Sequence, residues 1–329
     1  MPLTTKQKNR LLNLKLIDPE RISDETLLIT ELYLKGQLRL LEDEAVKRVG
    51  GLTIDLYQAI AALIAQLAAQ YDLREVTRDN ATLNWRKALR EALPALIAAY
   101  AANISSLLVK ASWAVTIGMY YGKAWQVTMT TPLYTPVRYD PLNPSDYLRQ
   151  MAEEWRELTD IELDPLMTQI ISMTYSAPYG KTAIADLLKQ IGRIMGVKSV
   201  MGHYLSMAKG VLARLEGLAR TLINRMANEA ARRLYRQNAD FVLEYEWLTA
   251  NDEKVCSSCA EMDGRIFTLG AATHPPLHYR CRCTIIPRFS PTLAKSSRPL
   301  EGLATFAEWV AMKGIGVQLR PFLSPEETQ

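Results

Sequence analysis

Histidine and cysteine are almost missing from this 329-residue chain, with three of the first and four of the second. His203, His274 and His278 leave little material for general acid–base catalysis, which histidine serves more often than any other residue. No H-E-x-x-H, G-x-S-x-G or G-x4-G-K-[ST] run occurs, so the common metalloprotease, hydrolase and P-loop readings fall away and no enzyme is expected. Four cysteines are too few for a disulfide scaffold of this length. Charge of one sign is missing too. The balance of 39 Lys and Arg against 35 Asp and Glu excludes a wholly basic nucleic-acid coat, though not a local basic patch. The opening MPLTTKQKNRLL has no apolar h-region and no small-residue cleavage site, so synthesis in the cytoplasm is expected.

What is present is helical pattern. Asp24 or Ser23 can cap a helix through Leu27, Leu28, Leu32, Leu34, Leu38 and Leu41 that should stop at Gly50-Gly51. Thr53 or Asp55 opens the next, with Leu56, Ile60, Leu63, Ile64 and Leu67 at helical spacing, and Asp79 or Asn80 a third. Residues 56–71 and 92–109 lack charge, but they are Ala-rich, and the second carries Pro94, Asn103, Ser105 and Ser106 and lacks a dense Leu/Ile/Phe core. Both are expected as core helices of a bundle, with no membrane partner. Pro132, Pro136, Pro141 and Pro144 mark residues 130–146 as a connector, followed by a helix capped at Ser145 or Asp146. Helices then continue to about 240, with breaks near Pro165 and around the glycines at 180, 192, 196 and 202. The last helix is the clearest, with Val211, Leu215, Leu218, Leu222, Met226, Ala230 and Leu234 on one side and a Glu229–Arg233 pair on the other.

After residue 240 the texture turns to strand in FVLEYEWLTA, in RIFTL behind the Asp263-Gly264 turn, and in CTIIPRF. The fold expected is mainly α, a long helical body with a small α+β cysteine-containing C-terminal module. Its divisions are an N-terminal helical region 1–129, the connector 130–146, a second helical region 147–240, the module 241–290, and a tail 291–329 holding the short amphipathic segment LATFAEWVAMKG. Trp85, Trp113, Trp125, Trp155 and Trp309 are either core residues or anchors for a partner.

All four cysteines fall between Cys256 and Cys283. Cys256 and Cys259 form C-x2-C, Cys281 and Cys283 form C-x-C, and His278 precedes Cys281 as H-x2-C. Zinc takes four S/N ligands in a tetrahedron, and a C-x2-C turn brings two thiolates to one ion without strain. The expected set is Cys256 and Cys259 with two of His278, Cys281 and Cys283, His274 being a weaker candidate. Full coordination makes the site structural rather than catalytic. Two disulfides are the runner-up chemistry, and a redox C-x2-C lacks the βαβ context such sites use.

The run W-x-T-x2-D-x2-V-C-x2-C-x3-D-G-R, from Trp247 to Arg265, and P-P-x-H-x2-C-R-C-T, from Pro275 to Thr284, resemble the C-terminal module of the phage head-morphogenesis family, the Mu protein F-like minor capsid proteins. The preceding helix ARTLINRMANEAARRLYRQN is similar to that family's Arg-Thr-containing helix. The resemblance covers roughly residues 210–290. It departs at Tyr279, where the family often has Pro, and at Leu222, where an acidic residue is common. It implies a low-copy virion component of a tailed bacteriophage, made in the host cytoplasm and placed in the head near the portal vertex. Such a protein acts in head assembly, DNA packaging or DNA ejection, with a portal protein, a major capsid or scaffold protein and packaged DNA as partners.

Two rival readings come from the same residues. Arg280, Arg282 and Arg288 flank the cysteines, with Lys295 and Arg298 beyond, and can neutralise phosphates in weak, nonspecific nucleic-acid binding. A metal-dependent nuclease would need His274 or His278 as base and Asp252 or Asp263 on a second metal. Turn-forming roles suit both aspartates better, Asp252 closing the turn before the cysteines and Asp263 opening an Asp-Gly turn.

Overall fold

The computed structural model describes residues 9, 12, 16, 22 and 24–315, apart from 23, 74–76, 78, 133–134, 141, 177–182, 201–202, 207–209, 251 and 295–303. Its elements are α1 (Glu25–Gln70), α2 (Asn80–Thr130), α3 (Pro144–Ser176), α4 (Ala183–Met195), β1 (Val197–Val200), β2 (His203–Ser206), α5 (Gly210–Gln237), β3 (Val242–Leu248), α6 (Ser257–Met262), β4 (Ile266–Thr268), β5 (Thr284–Phe289), α7 (Pro291–Ala294) and α8 (Phe306–Lys313). The fold is mainly α, with its three-stranded sheet and every cysteine near the C-terminus.

The helix starts follow the capping chemistry. Asp24 Oδ1 accepts from the Leu27 amide at 2.9 Å and Asp79 Oδ1 from the Thr82 amide at 2.8 Å, each satisfying an orphan donor of the first turn. The expected stop at Gly50-Gly51 does not occur, and α1 runs through both. A glycine costs only about 1 kcal/mol in a helix, and the burial of Val49 and Thr53 around the pair holds the turn in place. Pro165 likewise lies inside α3, and Pro94 inside α2. Both prolines sit on exposed faces, as do Arg90 and Ile161 four residues earlier, so the carbonyls they deprive of a donor can turn to water. Gly192 falls within α4.

The chain divides into two compact units. The first comprises Met1–Glu44, Lys110–Pro144 and Arg220–Gln329. There the sheet runs in the order β4-β3-β5 with both pairings antiparallel, Glu246 facing Ile266 on one side and Ile286 on the other. Leu248 and Ile286 pack with Ile22, Leu27, Leu28, Ile29 and Leu32 at the start of α1. Behind them the buried Lys123 ammonium meets Glu31 and donates to the Ile285 carbonyl at 3.2 Å, tying α2 to α1 and β5. The amphipathic tail segment is α8. Thr305 and Glu308 close a capping box and Gly314 ends the helix in the left-handed region, while Phe306, Trp309 and Val310 are buried. Trp125 packs its ring against Phe306 at a 54° tilt and donates to the Ala304 carbonyl at 3.0 Å.

The second unit comprises Ala45–Val109 and Ser145–Ala219. It buries Leu56, Ile60 and Ile64 of α1, Trp85, Leu89 and Leu93 of α2, Trp155, Leu163 and Ile170 of α3, and Leu187 and Ile191 of α4. It also holds a hairpin, β1 paired antiparallel with β2 from Val197↔Ser206 to Val200↔His203, in a stretch whose sequence reads as interrupted helix. Gly210 opens α5 behind this hairpin at φ +85°, with the Ile194 carbonyl only 2.4 Å from where a Cβ would stand, so no other residue fits.

Two helices, α1 and α2, are long and apolar enough to cross a membrane by length and composition. They are not buried all round, as their composition suggests, because only 33% of each apolar window lies inside the protein. The inside positions include the large ones, Leu56, Ile60, Ile64 and Leu67 in α1 and Leu93, Ile97, Ile104 and Leu108 in α2, beside Ala68, Ala101 and Ser105. Ala62, Ala65, Gln66, Ala69, Ala95, Ala98, Ala99 and Ala102 face out. Four of the five tryptophans weighed as partner anchors, Trp85, Trp125, Trp155 and Trp309, are core residues, and Trp113 is half-buried.

Candidate metal centre

Two tight turns carry the donors. After β3, Asp252 Oδ1 accepts from the Lys254 amide and closes the turn leading to Cys256. Cys256 is the N-cap of α6, its Sγ accepting from the Cys259 amide at 3.4 Å, so the C-x2-C spacing becomes the first turn of a short helix. That helix ends at Asp263. Gly264 follows at φ 74°, and the Arg265 amide donates back to the Met262 carbonyl at 3.0 Å, directing the chain into β4. The second turn is built on H-x2-C. The Cys281 amide donates to the His278 carbonyl at 3.1 Å, with Arg280 between them in the left-handed region at φ 63°. Cys283 then leads directly into β5.

The turns face each other. His278 Nε2 lies 3.1 Å from both Cys256 Sγ and Cys259 Sγ, and Cys259 Sγ lies 3.7 Å from Cys281 Sγ. Two triads that share Cys259, Cys256–Cys259–His278 and Cys259–Cys281–Cys283, each have their own donor atoms within 4.8 Å of one another and could hold a metal ion. The ligand–ligand edge of a tetrahedral zinc–thiolate site, set by Zn–S bonds of about 2.3 Å, is about 3.8 Å, close to the Cys259–Cys281 separation. All four cysteines are free thiols, and 3.7 Å far exceeds a disulfide bond of about 2.05 Å.

The electrostatics suit a cation. His278 Nδ1 faces the Tyr279 carbonyl at 2.8 Å, which raises the ring's affinity for its proton and fixes that proton on Nδ1. Nε2 is thereby left as the ligating atom toward the thiols. The Cys259 amide holds the Cys256 thiol below its ordinary value. Cys281 is drawn down to about 5, chiefly by a hydrogen bond from Cys283, and Cys283 is pushed up by giving that bond and by burial. Burial pushes Cys259 up to about 12. A buried thiol that resists ionisation beside one that ionises readily is an arrangement that bound metal charge would relieve. Donor types, spacing and tautomer therefore fit a zinc ion.

The remaining sequence-derived candidates have other partners. Arg282 forms a two-pronged ion pair with Asp252, its Nη2 donating to Oδ1 at 2.6 Å. Arg288 pairs with Glu246 at 3.2 Å. Arg280 donates its amide to Thr221 Oγ1 at 2.8 Å and lays its guanidinium beside the Tyr279 ring. Asp263 Oδ1 accepts from the amide and hydroxyl of Thr249, both at 3.0 Å. His274 faces Glu229, which also meets Arg232 rather than the expected Arg233. The structure thus brings the five metal candidates together and leaves His274 outside the cluster. The His203 side chain, Lys295 and Arg298 lie outside the described residues.

Sequence reasoning missed the support. The segment from Leu269 to Cys283 has no regular secondary structure, and one stripe of α5 holds it. Asn224 Nδ2 donates to the carbonyls of Cys281 at 2.8 Å and Cys283 at 3.2 Å, and Asn228 Nδ2 to that of Cys283 at 3.1 Å. Further along, Arg232 donates to the Ala271 carbonyl and Arg236 to that of Leu269, both at 3.1 Å. Two asparagines four apart inside a strongly amphipathic helix were the available signal, since asparagine is a poor interior helix residue unless its amide has work elsewhere.

No curated protein and no solved structure matches the chain. The family comparison falls on the segment that carries this centre and opens earlier than the sequence resemblance, which began at about residue 210, so that it also takes in α4 and the β1–β2 hairpin ahead of α5. Residues 182–286, roughly a third of the chain, match the family described as Phage Mu protein F like protein.

Proposed function

We propose that the chain is a structural minor head protein of a tailed bacteriophage, acting through binding rather than turnover, with one structural zinc ion in its C-terminal module. The observation that carries this reading is the Phage Mu protein F-like match over 182–286, which coincides with the cysteine centre. Its cellular setting is the phage head near the portal vertex. Its partners are a portal protein and a major capsid or scaffold protein, with no membrane partner and no more than weak, nonspecific contact with packaged DNA. In this layout the helical regions 1–129 and 147–240 form the body, 130–146 connects them, and 241–290 is the metal-stapled module.

The zinc ligands in this reading are Cys256, Cys259, His278 and Cys281, whose donors form the chain of contacts at 3.1 and 3.7 Å. Cys283 stands on the buried side as a thiol hydrogen-bonded to Cys281. Bound there, zinc supplies a cross-link and no catalysis, because every position on the ion is taken by protein. The nuclease reading loses its acids, since Asp252 is engaged by Arg282 and Asp263 by Thr249. The DNA-binding reading loses two of its three arginines to carboxylates.

The test is composition and neighbourhood. Mass spectrometry of purified particles should find the chain at low copy, and cross-linking should join it to the portal. Absence from both mature particles and their precursors would overturn the reading.

A further inference from the structure

We propose that Thr221, Asn224 and Asn228 are the positioning residues of the metal centre, so that α5 rather than the loop sets the geometry of its H-x2-C-x-C half. This rests on the zinc reading above. The three residues are spaced by three and four, which puts them on one face of a helix. That face contacts the ligand segment through Thr221, Asn224 and Asn228, and the loop behind β4 through Arg232 and Arg236.

The need for such a stripe follows from the backbone. Strand β5 enters the ladder only at Thr284, paired with Leu248, so the Cys281 and Cys283 carbonyls have no sheet partner. Both residues are buried, and a buried carbonyl without a donor is costly. Asn224 answers both with one amide. Its two N–H groups reach the two carbonyls at 2.8 and 3.2 Å, which fixes how far apart and at what angle the ends of C-x-C stand. Asn228 adds a second donor to the Cys283 carbonyl at 3.1 Å and donates to Asn224's own carbonyl at 2.9 Å, locking the pair. Thr221 accepts from the amide of Arg280, the left-handed residue between His278 and Cys281, at 2.8 Å. Asn224 is 5% and Asn228 1% exposed, so neither amide has water as an alternative partner. Each of these four contacts is to backbone within two residues of a proposed ligand, the usual place for groups that orient a metal site.

The experiment uses the full chain, reduced and loaded with zinc or with cobalt(II). Zinc affinity is read by competition with a chromophoric chelator, and ligand geometry by the thiolate-to-cobalt absorption band. Thermal melts are run on loaded and chelator-stripped protein. Asn224→Asp keeps the size and removes the donors, and Thr221→Val removes one acceptor at a gentler site. Both should weaken metal binding, Asn224→Asp by roughly 10–100-fold, the range for lost outer-shell partners. The cobalt band should shift or fade, while the stripped variants melt with the stripped wild type. Unchanged affinity and band in both variants would overturn the proposal and leave the zinc reading standing. So would stripped variants that melt as far below the stripped wild type as the loaded variants do below the loaded one. A wild-type chain that takes up neither metal would overturn both.

Discussion

Cys259 is the thiol shared by both donor triads, whereas Cys283 belongs to one. Cys259→Ser should therefore abolish stoichiometric zinc, and Cys283→Ser should retain it. The cobalt(II) form of Cys283→Ser should keep a three-thiolate spectrum. Elemental analysis after gel filtration decides the matter, and loss of metal from Cys283→Ser would replace His278 in the ligand set. The neighbouring Lys35 yields a different prediction. It is buried, donates to the Thr249 carbonyl at 3.3 Å, and is held at about 8 mainly by desolvation. A lysine depressed below its unfolded value, about 10.4, binds its proton less tightly in the folded chain. Folded stability should then rise as pH climbs from about 8 toward 10.4, and the burial penalty should be present in full below about 8. Lys35→Met removes a penalty of up to about 3 kcal/mol by that shift, less the hydrogen bond to Thr249. Urea unfolding of zinc-loaded protein at pH 7 to 10 should show the variant more stable at pH 7 and the difference shrinking at the alkaline end. A constant difference would show that Lys35 does not titrate in this range. The candidate ligands were legible in the sequence because a metal demands fixed spacing. Lys35 and Asn224 were not, because their partners are backbone carbonyls 214 and 57–59 residues away, and carbonyls leave no trace in side-chain pattern.

Elements were legible where periodicity reports burial directly. The stripe from Val211 to Leu234 is buried in α5 as spaced, and the three C-terminal strand runs became β3, β4 and β5. The errors came from punctuation residues. Gly50-Gly51 and Pro165 carry local penalties of one to a few kcal/mol, which the burial of whole helices exceeds, while the β1–β2 hairpin has too short an alternating pattern to be seen. Two glycine substitutions measure this balance. A Cβ on Gly51 meets nothing within 4 Å, so Gly51→Ala should stabilise the chain by about 0.5–1 kcal/mol through α1 propensity alone. A Cβ on Gly122 in α2 would stand 2.4 Å from Leu34 Cδ2, and Leu34 is fully buried with nowhere to turn. Gly122→Ala should therefore gain the same propensity and lose more to overpacking, for a net loss of about 1 kcal/mol or more. Thermal melts of the two variants should move in opposite directions. Movement in the same direction would mean that α1 and α2 respond to backbone propensity and not to packing at Gly122.

At the scale of the whole molecule, the cysteine module looks from its sequence like a fold too small to stand without a cross-link, since short strands bury little apolar surface against about 1–2 kcal/mol of backbone entropy per residue. The structure moves that need elsewhere. Strands β3 and β5 bury Leu248 and Ile286 against α1, Tyr245 and Ile285 are fully buried, and Lys123 and Tyr235 both reach the Ile285 carbonyl. The sheet is thus part of the core of its unit and should stay folded without metal. The stretch expected to depend on metal is the one between the strands, where Trp247, Cys259, Cys281 and Cys283 form a small cluster with Val255, Met262 and Phe267 around the candidate donors. Chelation of the reduced, zinc-loaded chain should open residues 249–283 and leave the rest folded. Helical circular dichroism should change little, since α6 is only six residues long. Limited proteolysis should gain new cuts at Lys254, Arg265, Arg280 and Arg282, all in or beside the two turns, with cleavage of α1, α2 and α5 unchanged. Restoring zinc should close those sites. A collapse of the helical signal on chelation would show that the metal holds the whole unit, and unchanged protection of Lys254 and Arg280 would show that the α5 stripe and the Trp247 cluster hold the loop alone.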